Sequence, residues 1–196
     1  PAPTPSATPT SDDLKRDFLA ASISPAYLLT THAKILDPTG KQIVSFQPWP
    51  ALLTLLDLIQ THRFVVVLKS RQLGVSWTVA GYLLWLAKFH AATVCLELSK
   101  RETDAAELLS KSRFIENSLP PHLRSTIGKD RESVLEFSRR SSKIVALPTT
   151  EDAGRSETAT AVFADEFAFH KFADLNLQAL YPTVEAGGQM ILVSTS

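Results

Sequence analysis

The sequence has 196 residues, with 20 Lys and Arg balanced by 20 Asp and Glu, 44% hydrophobic and 20% charged residues; this suits one globular domain able to bury a sizeable core. A formal net charge of zero excludes a global field for polyanions or membrane surfaces, so any DNA contact must come from local patches. A single cysteine, Cys95, excludes an internal disulfide framework and a cysteine-based zinc site; in its apolar run it reads as a small buried hydrophobe in a reducing compartment.

In chain order, Pro1 to Thr10 contains four prolines and no large apolar residue. It cannot nucleate a core, and a disordered tail is expected over residues 1–11. The N-terminus carries no basic segment followed by an apolar one, so no secretory signal is expected. A short helix is predicted over Asp12 to Ala21 with Ser11 as N-cap. Ser24-Pro25, a capping residue followed by Pro at the first helical position, starts a second helix ending near His32. Lys34 to Leu36 and Gln42 to Phe46 flank the turn Asp37-Pro38-Thr39-Gly40 as a hairpin. Trp49-Pro50 then opens an apolar helix, Ala51 to Thr61. Residues 12–60 therefore read as a small helical and hairpin lid placed before a core over 61–196.

That core begins with an unbroken apolar run, Phe64 to Leu68, of the kind that suits a strand buried on both faces of a parallel sheet. A polar loop follows, and a helix is predicted over Ser76 to His90. The longest apolar stretch, Val79 to Leu98, is interrupted by Lys88 and His90, so it reads as helix then strand and not as a membrane span. Ala92 to Leu98 is the next strand, followed by an amphipathic helix to about Asn117, closed by Leu119-Pro120-Pro121. Ser133 to Ser138 and Lys143 to Leu147 suggest a hairpin across Arg139 to Ser142, and Pro148 to Glu157 is a polar loop. Thr160 to Ala164 is a short apolar strand, Phe167 to Tyr181 is helical, and Gln189 to Val193 is the last strand. Strand and helix alternate throughout, which argues an α/β fold whose mainly parallel sheet is flanked by helices.

Two stretches carry chemistry. The first is the loop Lys69-Ser70-Arg71-Gln72-Leu73-Gly74-Val75-Ser76, ending at Trp77. A strand, a loop and a helix N-terminus form a phosphate site, because the first-turn N–H groups are unpaired and the helix dipole favours negative charge. Against G-x-x-x-x-G-K-[ST], Gly74 and Ser76 occupy the second glycine and hydroxyl positions, while Val75 stands at the lysine position and Lys69 at the first glycine. Lys69 or Arg71 can supply the missing cation from the other end of the loop. The second stretch is Asp165-Glu166 at the end of an apolar run. There the first carboxylate can hold Mg²⁺ and the second can polarise an attacking water. A strand ending in a solvated acidic turn is the plainer account of the acids alone; loop and acid pair together point to a P-loop NTPase.

These stretches, with Ser99-Lys100-Arg101-Glu102 leading into a helix, Gly154-Arg155-Ser156, Val162 to Phe169 and the closing Ser194-Thr195-Ser196, resemble the ATPase domain of the terminase large subunit, the DNA-packaging motor of tailed bacteriophages. The resemblance runs from about Pro25 to Ser196. It implies an ASCE-type P-loop NTPase that hydrolyses ATP with Mg²⁺. Its partners would be double-stranded DNA, a terminase small subunit and a homo-oligomeric ring at the capsid portal, in the host cytoplasm during virion assembly and without a membrane. By position, Lys69 through Ser76 is the phosphate loop, with Arg71 matching an arginine proposed to contact the γ-phosphate. Ser76 and Asp165 would hold the metal, and Glu166 would be the general base. Ser194 to Ser196 matches the coupling motif, and Arg155 an arginine that reaches a neighbouring subunit's site. Where the family often reads adenine with a glutamine just after the Trp-Pro pair, this chain has Leu52, and Gln47 is the nearest substitute. Nothing corresponds to the family's nuclease domain, and no nuclease activity is expected of these residues.

Other groups carry less. Phe167, Phe169 and Phe172 fit core packing better than a base-stacking platform. Lys100, Arg101, Arg139, Arg140 and Lys143 are ordinary surface cations for a neutral chain. The five histidines show no metal-ligand spacing. The alternatives are another P-loop DNA-dependent ATPase, such as a helicase-like remodeller, and a nucleotide-binding module that does not turn over, motivated by Val75.

Overall fold

A computed structural model of the chain describes residues 9–37, 39, 41–150, 153 and 158–195. The first eight residues of the expected tail lie outside the described residues. Helix α1 (Ser11–Ile23) is capped by Thr10, one residue earlier than expected. The Thr10 hydroxyl accepts from the Asp13 N–H at 3.2 Å, and the Asp13 carboxylate accepts from the Thr10 N–H at 3.0 Å. This reciprocal pair outcompetes Ser11 because the acid falls three residues after Thr10. Helix α2 (Pro25–His32) starts at the expected Ser24 cap, and strands β1 (Lys34–Leu36) and β2 (Ile43–Ser45) form the expected antiparallel hairpin. Helix α3 (Pro50–Thr61) leads to strand β3 (Phe64–Lys69).

Helix α4 (Val75–Phe89), strand β4 (Val94–Ser99) and helix α5 (Glu102–Ser118) follow. Next come β5 (Ile127–Arg131), β6 (Val134–Phe137), β7 (Ser142–Pro148), β8 (Ala161–Ala164), α6 (Ala173–Glu185) and β9 (Gln189–Thr195). The seven-stranded sheet runs β3-β9-β8-β4-β7-β6-β5. Its first five strands are parallel, and β6 runs antiparallel to both of its neighbours, β7 and β5. The β6–β7 hairpin is the expected one. Strand β5 is an addition to it: Lys129, Asp130 and Arg131 are exposed, so the segment carries no apolar alternation that would mark it. The helix expected over Phe167 to Tyr181 begins later, because Phe167 to Phe169 forms a separate 3-10 turn before α6.

Two apolar layers cover the sheet, and period-2 alternation assigns side chains to them. Ala161, Phe163, Ile191, Val193 and Cys95 face the layer built by α2 to α5. Val162, Ala164, Met190, Leu192, Leu96 and Leu98 face the α6 side with Leu180. Burying a side chain such as Phe163 contributes about 1.5–3 kcal/mol. At β3 the expectation fails. Val65 and Val67 join the first layer, but Phe64, Val66 and Leu68 are 43%, 61% and 75% exposed. The physical reason is topology: among the described residues β3 is the edge strand and shares no apolar cluster with α6, so its continuous apolar run has only one covered face.

Close approach and buried charge shape the α4 side. A Cβ on Gly81 would meet Leu29 Cδ2 at 2.5 Å, so glycine lets α2 lie directly on α4. Lys88 is buried in α4 but meets Glu116 Oε2 at 2.9 Å and Ser125 Oγ at 2.7 Å, which compensates its desolvation.

Candidate active site

The parallel strands deliver their C-terminal ends to one edge of the sheet, where ligands of open α/β sheets bind. Strand β3 ends at Lys69, in register with Thr195 on β9. The loop then turns through Gln72 at φ 61° and Gly74 at φ 82°, and Gly74 is the N-cap of α4 without a side-chain capping bond. Left-handed backbone suits glycine there, and a Cβ would also lie 3.3 Å from Leu52 Cδ1. The first-turn N–H groups of α4 thus remain for an anion.

Beside this loop, β8 hands over Asp165 and Glu166. Ser76 Oγ donates to Asp165 Oδ2 at 2.7 Å across 89 positions of sequence. Glu166 takes a left-handed backbone, φ 54° and ψ 40°, a strained conformation for a side-chain-bearing residue. Its carboxylate is held from two strands. Lys69 Nζ donates to Oε1 at 3.2 Å, and Thr195 donates to Oε2 through its N–H at 3.2 Å and its hydroxyl at 2.8 Å. Burial works to raise the Glu166 pKa, but the Thr195 hydrogen bonds and the Lys69 charge outweigh it and hold the carboxyl below its ordinary range.

Behind the acids lies His170, which is not evident from sequence. Its Nε2 lies 2.8 Å from the Asp165 carbonyl, and its Nδ1 lies 2.9 Å from the Thr149 hydroxyl. Burial lowers its pKa despite the nearby Asp165. A neutral ring facing a carbonyl carries its proton on Nε2. His170 therefore buttresses the acidic turn from the end of β7.

Lys69, Ser76, Asp165, Glu166 and Thr195 come together as one hydrogen-bonded group. Ser194 is buried and accepts from the Ala168 N–H at 3.3 Å. Ser70 and Arg71 are exposed on the loop, as are Gln72 and Leu73. Gln72 to Trp77 and Lys69 line a cleft of about 530 Å³ completed by Ile35, Leu36 and residues of α5. Gln47 is exposed and does not line that cleft. Arg155 and Ser196 lie outside the described residues.

Ser76 and Asp165 present adjoining oxygen donors suited to a hard cation, and Mg²⁺ characteristically takes only one or two carboxylates. Among the described residues no cluster of three or more His, Cys, Asp or Glu could hold a metal ion, and a site of this sparse type needs none. No helix among the described residues is long and apolar enough to cross a membrane.

The large terminase of bacteriophage HK97 superposes with a TM-score of 0.70, at 13% identity, over 88% of this chain and 37% of that one. The fold is that of phage large-terminase ATPase domains. The large-terminase ATPase domain of Thermus phage P74-26 gives a TM-score of 0.57 at 17% identity, over 76% of this chain and 65% of that one. A large terminase from a thermophilic bacteriophage gives 0.61 at 13% identity, over 76% and 39%. This chain thus spans between 37% and 65% of the solved terminase chains it matches. No family model matches the sequence. The likeness in fold covers the mostly parallel central sheet and the helices that flank it.

Proposed function

We propose that the chain is the ATP-hydrolysing domain of a viral large terminase, a motor driving double-stranded DNA into a capsid. The observation that carries this reading is the meeting of Ser76, Asp165, Glu166, Lys69 and Thr195 at one end of a terminase-like sheet. Phosphates of ATP rest on the N–H groups after Gly74, with Lys69 and Arg71 as candidate cations. Mg²⁺, held by Ser76 and Asp165, would neutralise charge on the β- and γ-phosphates. Glu166 orients and deprotonates the attacking water.

In the observed arrangement Glu166 is a weak base, since three donors stabilise its charge. Transfer of Lys69 from the carboxylate to a phosphate frees one Glu166 oxygen and raises its basicity as the chemistry requires. Thr195, the middle residue of the proposed coupling motif, feels the same change through Glu166, which gives hydrolysis a mechanical output along β9. Residues 12–60 act as a lid on the 61–196 core, and Arg155 serves a neighbouring subunit in a ring at the portal, with a small subunit as further partner, in the host cytoplasm. Glu166 argues against a module that binds nucleotide without turnover, because binding alone needs no base.

Steady-state phosphate release by the purified chain, with and without Mg²⁺ and with double-stranded DNA added, tests this. Mg²⁺-dependent ATP hydrolysis is expected. Nucleotide binding with no turnover at any chain concentration would favour the non-hydrolysing module.

A further inference from the structure

The cleft beside the phosphate loop extends well past the groups that phosphates need. Lys69 and Gln72 to Ser76 are the phosphate-loop part of its lining; the remainder, here called the outer end, is Ile35, Leu36 and Asp37 of the hairpin, Trp77 of α4, and Glu107, Ser110, Lys111 and Phe114 of α5. The outer end combines aromatic surface with a few polar groups. Trp77 and Phe114 meet edge to face with ring centroids 5.7 Å apart. Lys111 Nζ stands 5.9 Å from the Trp77 ring centroid and 3.3 Å from Glu107 Oε1. The hairpin closes this end against α5, where the Lys34 N–H donates to Ser118 Oγ at 3.1 Å.

We propose that this outer end is the nucleobase site, with the base against Trp77 and Phe114 and its polar edge toward Glu107 and Lys111. The inference rests on the ATP reading and adds where the base lies and what reads it. Three physical arguments support it. A base is a flat π-system that gains by stacking on aromatic faces, and these are two half-buried aromatic side chains in the same cleft as the loop. A base edge presents both hydrogen-bond donors and acceptors, which a carboxylate and an ammonium side by side can meet. The cleft volume, about 530 Å³, falls in the range of sites that enclose a small-molecule ligand. Gln47, the reader suggested by position in sequence, is exposed and lies outside this lining. The hairpin thereby gains a role: Ile35 and Leu36 of β1, which packs against α5, line the cleft, so a segment outside the phosphate loop contributes to base affinity.

The test compares affinities for ADP and for inorganic pyrophosphate, measured calorimetrically with the intact chain. Phe114→Leu keeps apolar bulk and removes the ring; Lys111→Met keeps the stem and removes the charge. Each is expected to weaken ADP at least about tenfold while leaving pyrophosphate affinity unchanged. ADP, and not pyrophosphate, should also change the intrinsic fluorescence, and Trp77→Phe should abolish that change. If the wild-type chain binds neither ligand, the ATP reading fails and the base site falls with it. If it binds both and the two α5 variants leave the ADP-to-pyrophosphate ratio intact, the base site is wrong while the ATP reading stands. Loss of that ratio on Gln47→Ala without loss on Phe114→Leu would overturn it too.

Discussion

Lys69 Nζ lies 3.2 Å from Glu166 Oε1, tying the end of the edge strand to the turn after β8. Both side chains are shielded, at 9% and 27% exposure, so the pair is not a fully solvated surface contact. The phosphate cation and the base of the proposed reaction therefore report on each other before any chemistry. Glu166→Gln retains shape and loses the base, so ATP binding should stay within about threefold while turnover falls at least ~10²-fold. Equal losses in a binding titration and a phosphate-release assay would make Glu166 a structural brace instead.

Lys69→Ala should weaken ATP about tenfold or more and leave adenosine affinity unchanged, because only the phosphates lose a partner. It should also raise the Glu166 pKa, since one of the groups that lower it is gone. Competition binding of ATP against adenosine measures the first effect. A silent Lys69→Ala beside a severe Arg71→Ala would move the phosphate contact to Arg71.

Glu97 makes stability pH-dependent. It is fully buried on β4, and burial pushes its pKa from 4.5 up to about 8 against a 3.3 Å hydrogen bond from Ser112. Across that window the folded chain keeps a proton that the unfolded chain releases. The Glu97 contribution to stability therefore falls as pH rises from about 4.5 towards 8 and levels off above, while that of His170, whose pKa burial lowers from 6.5, runs the other way just below that value. Glu97→Gln should flatten this slope, and at pH above about 8 it should stabilise the chain by the order of 1–3 kcal/mol. Urea denaturation at several pH values measures it; an unchanged slope would mean that Glu97 is ionised in the fold.

Arg155 sits eleven positions before Glu166 in sequence, and its proposed role in trans has a direct complementation test. Arg155→Ala and Glu166→Gln chains should each be inactive alone. Mixed, an interface joining an intact Arg155 to an intact Glu166 should recover activity that rises with total concentration. No recovery at any ratio, under conditions where the wild-type chain associates and hydrolyses, would mean that Arg155 acts within its own subunit or not at all.

What the amino-acid sequence determined by itself was local. Gly74 and Ser76 after an apolar run announce a loop feeding a helix N-terminus, and Ala161 to Glu166 announces a strand ending in acids. These signals survive in a linear reading because turn chemistry and side-chain period act over a few residues. Strand order is different, because it is set by which distant segments pair. Only the tertiary structure seated β9 and β8 between β3 and β4, which left Phe64, Val66 and Leu68 on an uncovered face and brought Thr195 onto Glu166. The same packing enlisted His170 behind Asp165 and placed Phe114 and Lys111, two positions of an ordinary amphipathic helix, in the lining of the cleft beside the loop 69–76. Such partners leave no mark in sequence, since a long-range contact requires only that each residue suit its own helix or strand until the fold makes them neighbours.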